Sequence, residues 1–256
     1  MVAWGLSSVV FMTSPESPVP SFVHDDRIRL LVTGILFAAG ATVVVYSPLG
    51  QCSGGHINPA VSFGFWILGK IETRNMVLYS VSQSLGAVAG AGLVELLWGK
   101  WATIVDVGVT RPAPWISPVG AAGVELLITG SLLGVILFFV GHPQLHRWTG
   151  LAVGVWVAFL VFAEAPVTGT SLNPARSLGP AVVANDYRDL WVYFAGPLGG
   201  AAAVALLWKS FVSDGWRLPS CAKLFHTDRY PCHLADCRFP ERRASPQVVS
   251  RKEDPS

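Results

Sequence analysis

Residues 168–180 read TGTSLNPARSLGP, and their core recurs at residues 53–64 as SGGHINPAVSFG. Each copy sets an Asn-Pro-Ala triplet behind a polar, Gly-rich loop and ahead of a short apolar run. Asn is a favoured helix N-cap, and Pro suits the first helical position, where its missing N–H costs nothing. Asn58-Pro59-Ala60 and Asn173-Pro174-Ala175 are therefore expected to start two half-helices whose free backbone donors point back along their axes. Two such starts in one apolar chain predict a pore with both triplets at its midplane.

The surrounding chain is suited to a bilayer. It has 256 residues, 52% hydrophobic and only 13% charged, with a mean hydropathy of +0.49, too apolar for a soluble domain of this size. A net charge of +2 gives nucleic acid no reason to bind. The N-terminus has no charged start or small-residue cleavage site, so no removable targeting segment is expected. Residues 28–46, 75–97, 119–140, 148–163 and 190–211 read as spans, and 60–68 and 175–184 as the half-helices. Residues 1–13 are apolar, but as a helix they rise only about 18 Å against a hydrocarbon core of about 30 Å. Three prolines forbid one continuous helix over residues 100–118, which divide the chain into repeats of about 1–99 and 119–212.

Each repeat reads span, span, broken loop with half-helix, span, with the very first span cut short. An odd number of crossings per repeat inverts the second, so the half-helices enter from opposite faces and meet. The expected fold is an all-α membrane protein, an inverted repeat of six transmembrane helices and two re-entrant half-helices. With both termini cytoplasmic, Lys70, Arg74, Arg147, Lys209 and the basic tail lie inside, leaving Arg27, Arg29, Lys100, Arg111 and Arg188 outside. That is the positive-inside bias. Residues 1–212 form the channel domain and 213–256 a cytoplasmic tail.

At the two loops the chain resembles the aquaporin, or major intrinsic protein, superfamily, and PVTGTSLNPARSLGP, residues 166–180, looks most like bacterial members. Gln83, Glu125, and Gly196 with Pro197 are further marks of the likeness. The resemblance implies a passive channel in a bacterial plasma membrane, a pore in each subunit and four subunits, with no enzymatic chemistry and no cofactor. Its partners would be the lipid bilayer, water and small neutral solutes: glycerol, urea, ammonia or metalloid acids. Asn58 and Asn173 would donate to a passing oxygen, and the positive ends of both half-helices would repel cations. Arg176 would add a fixed charge near the outer mouth. Helix capping alone is the plainer reading of the asparagines, and loop packing that of His56.

By the same likeness the outer constriction is lined by Arg176, Thr170, Val161 and, counting twenty back from Asn58, Ala38. A slip of one residue would put Phe37 there instead and narrow the pore. Ser177 stands where typical glycerol facilitators carry Asp. Glu125 is expected to hold the backbone of the second loop, with His56 supporting the first. The matching Glu of the first span precedes residue 1, which points to a start upstream or to a truncated protein.

The tail sequence CAKLFHTDRYPCHLADC holds Cys221, His226, Cys232 and Cys237. Thiolates and imidazole at these intervals could close a tetrahedral zinc site, although no CxxC pair is present; a reduced, partly disordered tail is the other reading. Two rivals to a channel follow from the same features. One is a secondary transporter, which needs midplane carboxylates, and Glu95, Glu125 and Glu164 fall toward span ends. The other is a non-conducting paralogue or membrane anchor.

Overall fold

A computed structural model describes residues 1–211, 221–227 and 230, and these contain helices and no strand. In chain order the main helices are α1 (Val2–Thr13), α2 (Asp26–Tyr46), α3 (Pro59–Ile67), α4 (Thr73–Trp98), α5 (Pro118–Gly141), α6 (Thr149–Thr168), α7 (Pro174–Val183) and α8 (Val192–Phe211). Five of them, α2, α4, α5, α6 and α8, are long and apolar enough to cross a bilayer. With 12 residues α1 is not, and it takes the place of the shortened first span. The connection after α4 is broken, already upstream of its prolines, into a helix at Lys100–Ile104 and a tight turn at Asp106–Gly108, where residues 106–108 all have positive φ.

Large apolar side chains lie on the outside as well as in the core. Leu96, Leu127 and Val43 are 81%, 70% and 67% exposed, whereas Glu125, Thr168 and Ser177 are wholly buried. Apolar side chains outside, and polar groups inside that are hydrogen-bonded as Glu125 and Thr168 are, suit a lipid solvent, in which an unpaired backbone or side-chain dipole cannot turn to water.

The repeat is visible in the packing. α5 lies against α8 as α1 lies against α4, α7 packs on α4 as α3 packs on α8, and α2 faces α6 across the pseudo-twofold. One end of the bundle carries Arg147, whose carbonyl accepts from the Tyr46 hydroxyl, and Lys209, which donates to the Ile67 carbonyl. The other end carries Lys100 paired with Glu16, and Arg111.

The α5–α8 contact sets the position of Glu125. A β-carbon at Gly196 would stand 2.6 Å from Glu125 Cβ and 2.7 Å from the Ala122 carbonyl oxygen, so only glycine lets the two helices approach this closely. Gly196→Ala is expected to force them apart at a cost of about 1–3 kcal/mol. The measurement is the thermal unfolding midpoint in detergent, and a midpoint equal to the parent's would mean that the contact has slack.

Candidate functional site

Both Asn-Pro-Ala triplets start helices as their residue types require. Asn58 caps α3, its Oδ1 accepting from Ala60 N at 2.8 Å, and Asn173 caps α7, accepting from Ala175 N at 3.0 Å. The residue before each asparagine, Ile57 and Leu172, lies in the left-handed region at φ 44° and 58°. That conformation is costly for a branched side chain, on the order of 1–3 kcal/mol. Each strained residue presents its carbonyl to the opposite loop, where Asn58 Nδ2 donates to Leu172 O at 2.8 Å and Asn173 Nδ2 to Ile57 O at 3.0 Å. A side-chain amide has two N–H donors. One of each pair thus locks the two loops together, and the other is left for the lumen.

Two cavities meet around these loops. The inner one, of about 70 Å³, is lined by Asn58, Asn173, His56, Leu132, Val157 and Arg176 among others. The outer one, of about 260 Å³, is lined by Phe37, Val161, Thr170, Arg176, Thr33 and Gly108 among others. Phe37 and Arg176 belong to both, so they mark the passage between them, with the guanidinium carbon 5.6 Å from the Phe37 ring centre.

Of the four side chains expected at the outer constriction, Val161, Thr170 and Arg176 line the outer cavity and Ala38 does not. Ala38 is buried against α6 and borders an outward groove with Ile35, Val43, Leu151 and Val155. The lumen face of α2 is instead Thr33, Phe37, Ala41 and Val45, a stripe at helical spacing. At 3.6 residues per turn a slip of one position carries a side chain about 100° around the helix, which is why ungapped counting from Asn58 lands on the wrong face.

The second loop is clamped by two carboxylates. Glu125 accepts from Ser171 N at 2.8 Å, Leu172 N at 2.9 Å and the Thr168 hydroxyl at 2.7 Å. Glu164 accepts from the Thr170 hydroxyl at 2.6 Å and also lies 2.6 Å from the Thr168 hydroxyl oxygen, whose single proton is shared between the two carboxylates. Thr170 therefore spends its hydroxyl on Glu164 even though it borders the cavity. The family likeness singles out Glu125; Glu164 shows in the sequence only as a charge near a span end, because what it holds comes from the loop folding back on its own helix. Ser177, buried, completes a hydroxyl chain from Ser171 to Thr110, each link 2.6 Å.

Arg176 donates to the Gly108 carbonyl at 2.9 Å. That carbonyl is held by the loop after α4, which Arg111 ties down through Asp106 at 2.8 Å and through Asp186. Asp186 also receives Arg188, and the guanidinium groups of Arg188 and Arg111 hold its carboxyl well below the usual carboxylate range. It stays ionised, and the tie intact, until the pH falls through that lowered value.

In the first loop His56 stacks on Phe65 at 4.9 Å, and its Nδ1 lies 3.1 Å from the Ser62 hydroxyl. Its Nε2 is 2.7 Å from the carbonyl of Ala222. A carbonyl only accepts, so Nε2 carries a proton. The partner is a tail residue: Cys221, Ala222, Lys223 and Leu224 are buried against the helices. Of the four residues read as zinc ligands, Cys221 is buried and His226 partly so, while Cys232 and Cys237 lie outside the described residues. Among the described residues no three His, Cys, Asp or Glu side chains come together as a metal site.

A model of the family described as "Major intrinsic protein" matches residues 1–208. The chain is 37% identical over 186 residues to "Probable aquaporin NIP7-1" of Arabidopsis thaliana, covering 72% of this chain and 66% of that protein. It is 35% identical over 228 residues to "Probable aquaporin TIP2-2" of Oryza sativa subsp. japonica, covering 86% of each. Thus it spans slightly less than two thirds of the Arabidopsis protein's length. Both are plant proteins and lend no support to the expected bacterial source. Among solved structures it is similar to the aquaglyceroporin from Plasmodium falciparum, with a TM-score of 0.68 over 83% of this chain and 91% of that one. At 22% identity that likeness shows the fold alone.

Proposed function

The chain belongs to the major intrinsic protein family, and on that premise we propose that it is a passive pore for water and other small uncharged solutes. The observation that carries this reading is the reciprocal pair of hydrogen bonds between the two loops. It holds Asn58 and Asn173 side by side on one cavity, each with an N–H donor in hand. A solute leaving bulk water finds fixed donors in place of its lost hydration. The axes of α3 and α7 start at the same place, and their combined positive ends, each about half a charge, disfavour a cation there. The two buried carboxylates are both engaged by the second loop, which speaks against the ion site a secondary transporter needs.

The outer constriction is proposed to be Phe37, Val161, Arg176 and the backbone of Thr170. The Phe37 ring makes it narrower than an alanine would. Phe37→Ala is expected to raise glycerol and urea permeability about tenfold, a factor worth roughly 1.4 kcal/mol at the barrier, and to raise water permeability far less. Stopped-flow light scattering on proteoliposomes reads all three solutes. Osmotic shrinkage with a low activation energy is the expected result for water, slightly above that of empty liposomes for the full chain and well above it for Leu224→Asp. Shrinkage equal to empty liposomes in the chain and in its tail variants described below would return the protein to the non-conducting reading.

The proposed setting is a plasma membrane, bacterial on the likeness of the second loop, with the Arg147 end cytoplasmic, as the basic residues near the spans favour. The described tail segment then lies inside, whereas Met1 stops at the inner cavity beside Asn58 and Asn173 and does not reach that end, and residues 1–212 form the channel body. A homotetramer is proposed on family grounds, with apolar exposed faces such as the groove beside Ala38 available between subunits. Native mass spectrometry from lipid nanodiscs tests it.

A further inference from the structure

The tail segment at residues 221–227 has no part in the permeation path above, yet its first four residues are buried and the next three half-buried. Ala222 and Leu224 join the same core cluster as Val45, Phe65, Leu68 and Ile136. Three hydrogen bonds tie the segment to the first loop. His56 Nε2 meets the Ala222 carbonyl at 2.7 Å, Leu224 N donates to the Gly54 carbonyl at 2.9 Å, and the Thr227 hydroxyl donates to Gln51 at 2.9 Å. Phe225 sits edge-on to Tyr46 with ring centres 4.8 Å apart. Leu224 is itself a wall of the inner cavity, the one lined by Asn58 and Asn173.

We propose that the Arg147 end of the pore is a groove for an extended apolar peptide, that its occupant is the chain's own residues 221–227, and that this seat closes the pore. Backbone groups of alternate residues, Ala222 and Leu224, face the loop that leads into α3, while Leu224 and Phe225 fill the apolar sockets. Recognition of this kind takes its hold from main-chain hydrogen bonds and its selectivity from side-chain pockets. A solute leaving the inner cavity toward this end must pass Leu224. The inner cavity, at about 70 Å³ against about 260 Å³ for the outer one, has room for only a few waters. Seating rests on a few hydrogen bonds and two large apolar side chains, so any event that favours the unseated tail shifts the pore toward open.

The proposal rests on the channel reading above, and one assay separates the two. Leu224→Asp places a carboxylate in an apolar socket, where it cannot stay without water, and should unseat the tail. In proteoliposomes the full chain is expected to show low water flux and Leu224→Asp at least a fivefold higher one. A synthetic peptide of residues 219–230, present on both sides of the membrane, should return the variant toward the low value, and the same peptide carrying the Leu224→Asp change should not. A folded Leu224→Asp protein with the same measurable flux as the parent overturns the plug and leaves the channel standing; no flux in either, nor in the second variant, removes the channel reading instead. Should Leu224→Asp fail to fold, Phe225→Ala combined with Thr227→Ala loosens the same seat without inserting a charge. It is expected to raise flux too, and unaltered flux there likewise overturns the plug.

Discussion

Glu125→Ala is expected to lose the folded pore altogether. The carboxylate is wholly buried and serves two backbone N–H groups, those of Ser171 and Leu172, together with the Thr168 hydroxyl. Its removal leaves two buried amides without the acceptor that holds them, at about 1–3 kcal/mol each. The same loop carries Thr170 and Leu172 at φ 47° and 58°, a strain that persists only while the surroundings over-determine it. The sum, roughly 2–6 kcal/mol before any strain is released, is a large part of an ordinary domain's stability. Glu125→Gln keeps one acceptor and should fall between the parent and the alanine variant. Size-exclusion chromatography and thermal unfolding in detergent read the effect, and an alanine variant as stable as the parent would show that the loop holds its shape without the clamp.

Arg176→Val is expected to raise cation and proton leak steeply. Arg176 is buried, stands at the passage between the two cavities, and is held by the Gly108 carbonyl and the face of Phe37. A unit charge about 4 Å from a passing cation repels it by about 4 kcal/mol at an effective dielectric constant near 20, close to a thousandfold in rate. Both half-helix ends remain in the variant, so part of the barrier survives, and a rise of about tenfold to a thousandfold is expected. The variant is best made together with Leu224→Asp, so that the far mouth is unseated, and read with a pH-sensitive dye inside liposomes carrying a proton gradient. Leak equal to that of Leu224→Asp alone would assign the exclusion of cations to the half-helix ends.

Much of the fold was legible from local pattern. Five apolar stretches of bilayer length, two capped half-helices and a proline-bearing connection lie in the sequence as such, and the helices begin and end within a few residues of those limits. Glu125 was legible through the family likeness alone, since a carboxylate near a span end carries no local sign of what it holds. Phe37 was legible only as one of two neighbours. The choice between it and Ala38 depends on how α2 is rotated about its own axis, and that rotation is set by packing against α6, where Gly154 and Gly34 let the helices approach. Glu164 was legible only as a charge near a span end, and its clamping role was not, because its partners, Thr168 and Thr170, lie four and six residues on, and helical spacing by itself does not show the chain turning back.

The sequence by itself determined the two inverted halves and the chemistry at their meeting point, since capping, proline placement and hydrophobic length act over a few residues at a time. Only the tertiary structure decided which side chains line the two cavities, which carboxylates clamp the second loop, and that residues 221–227 lie against the first loop. Those outcomes join positions as far apart as His56 and Ala222. No local preference connects such residues; helix rotation, close packing and the need to satisfy every buried polar group do.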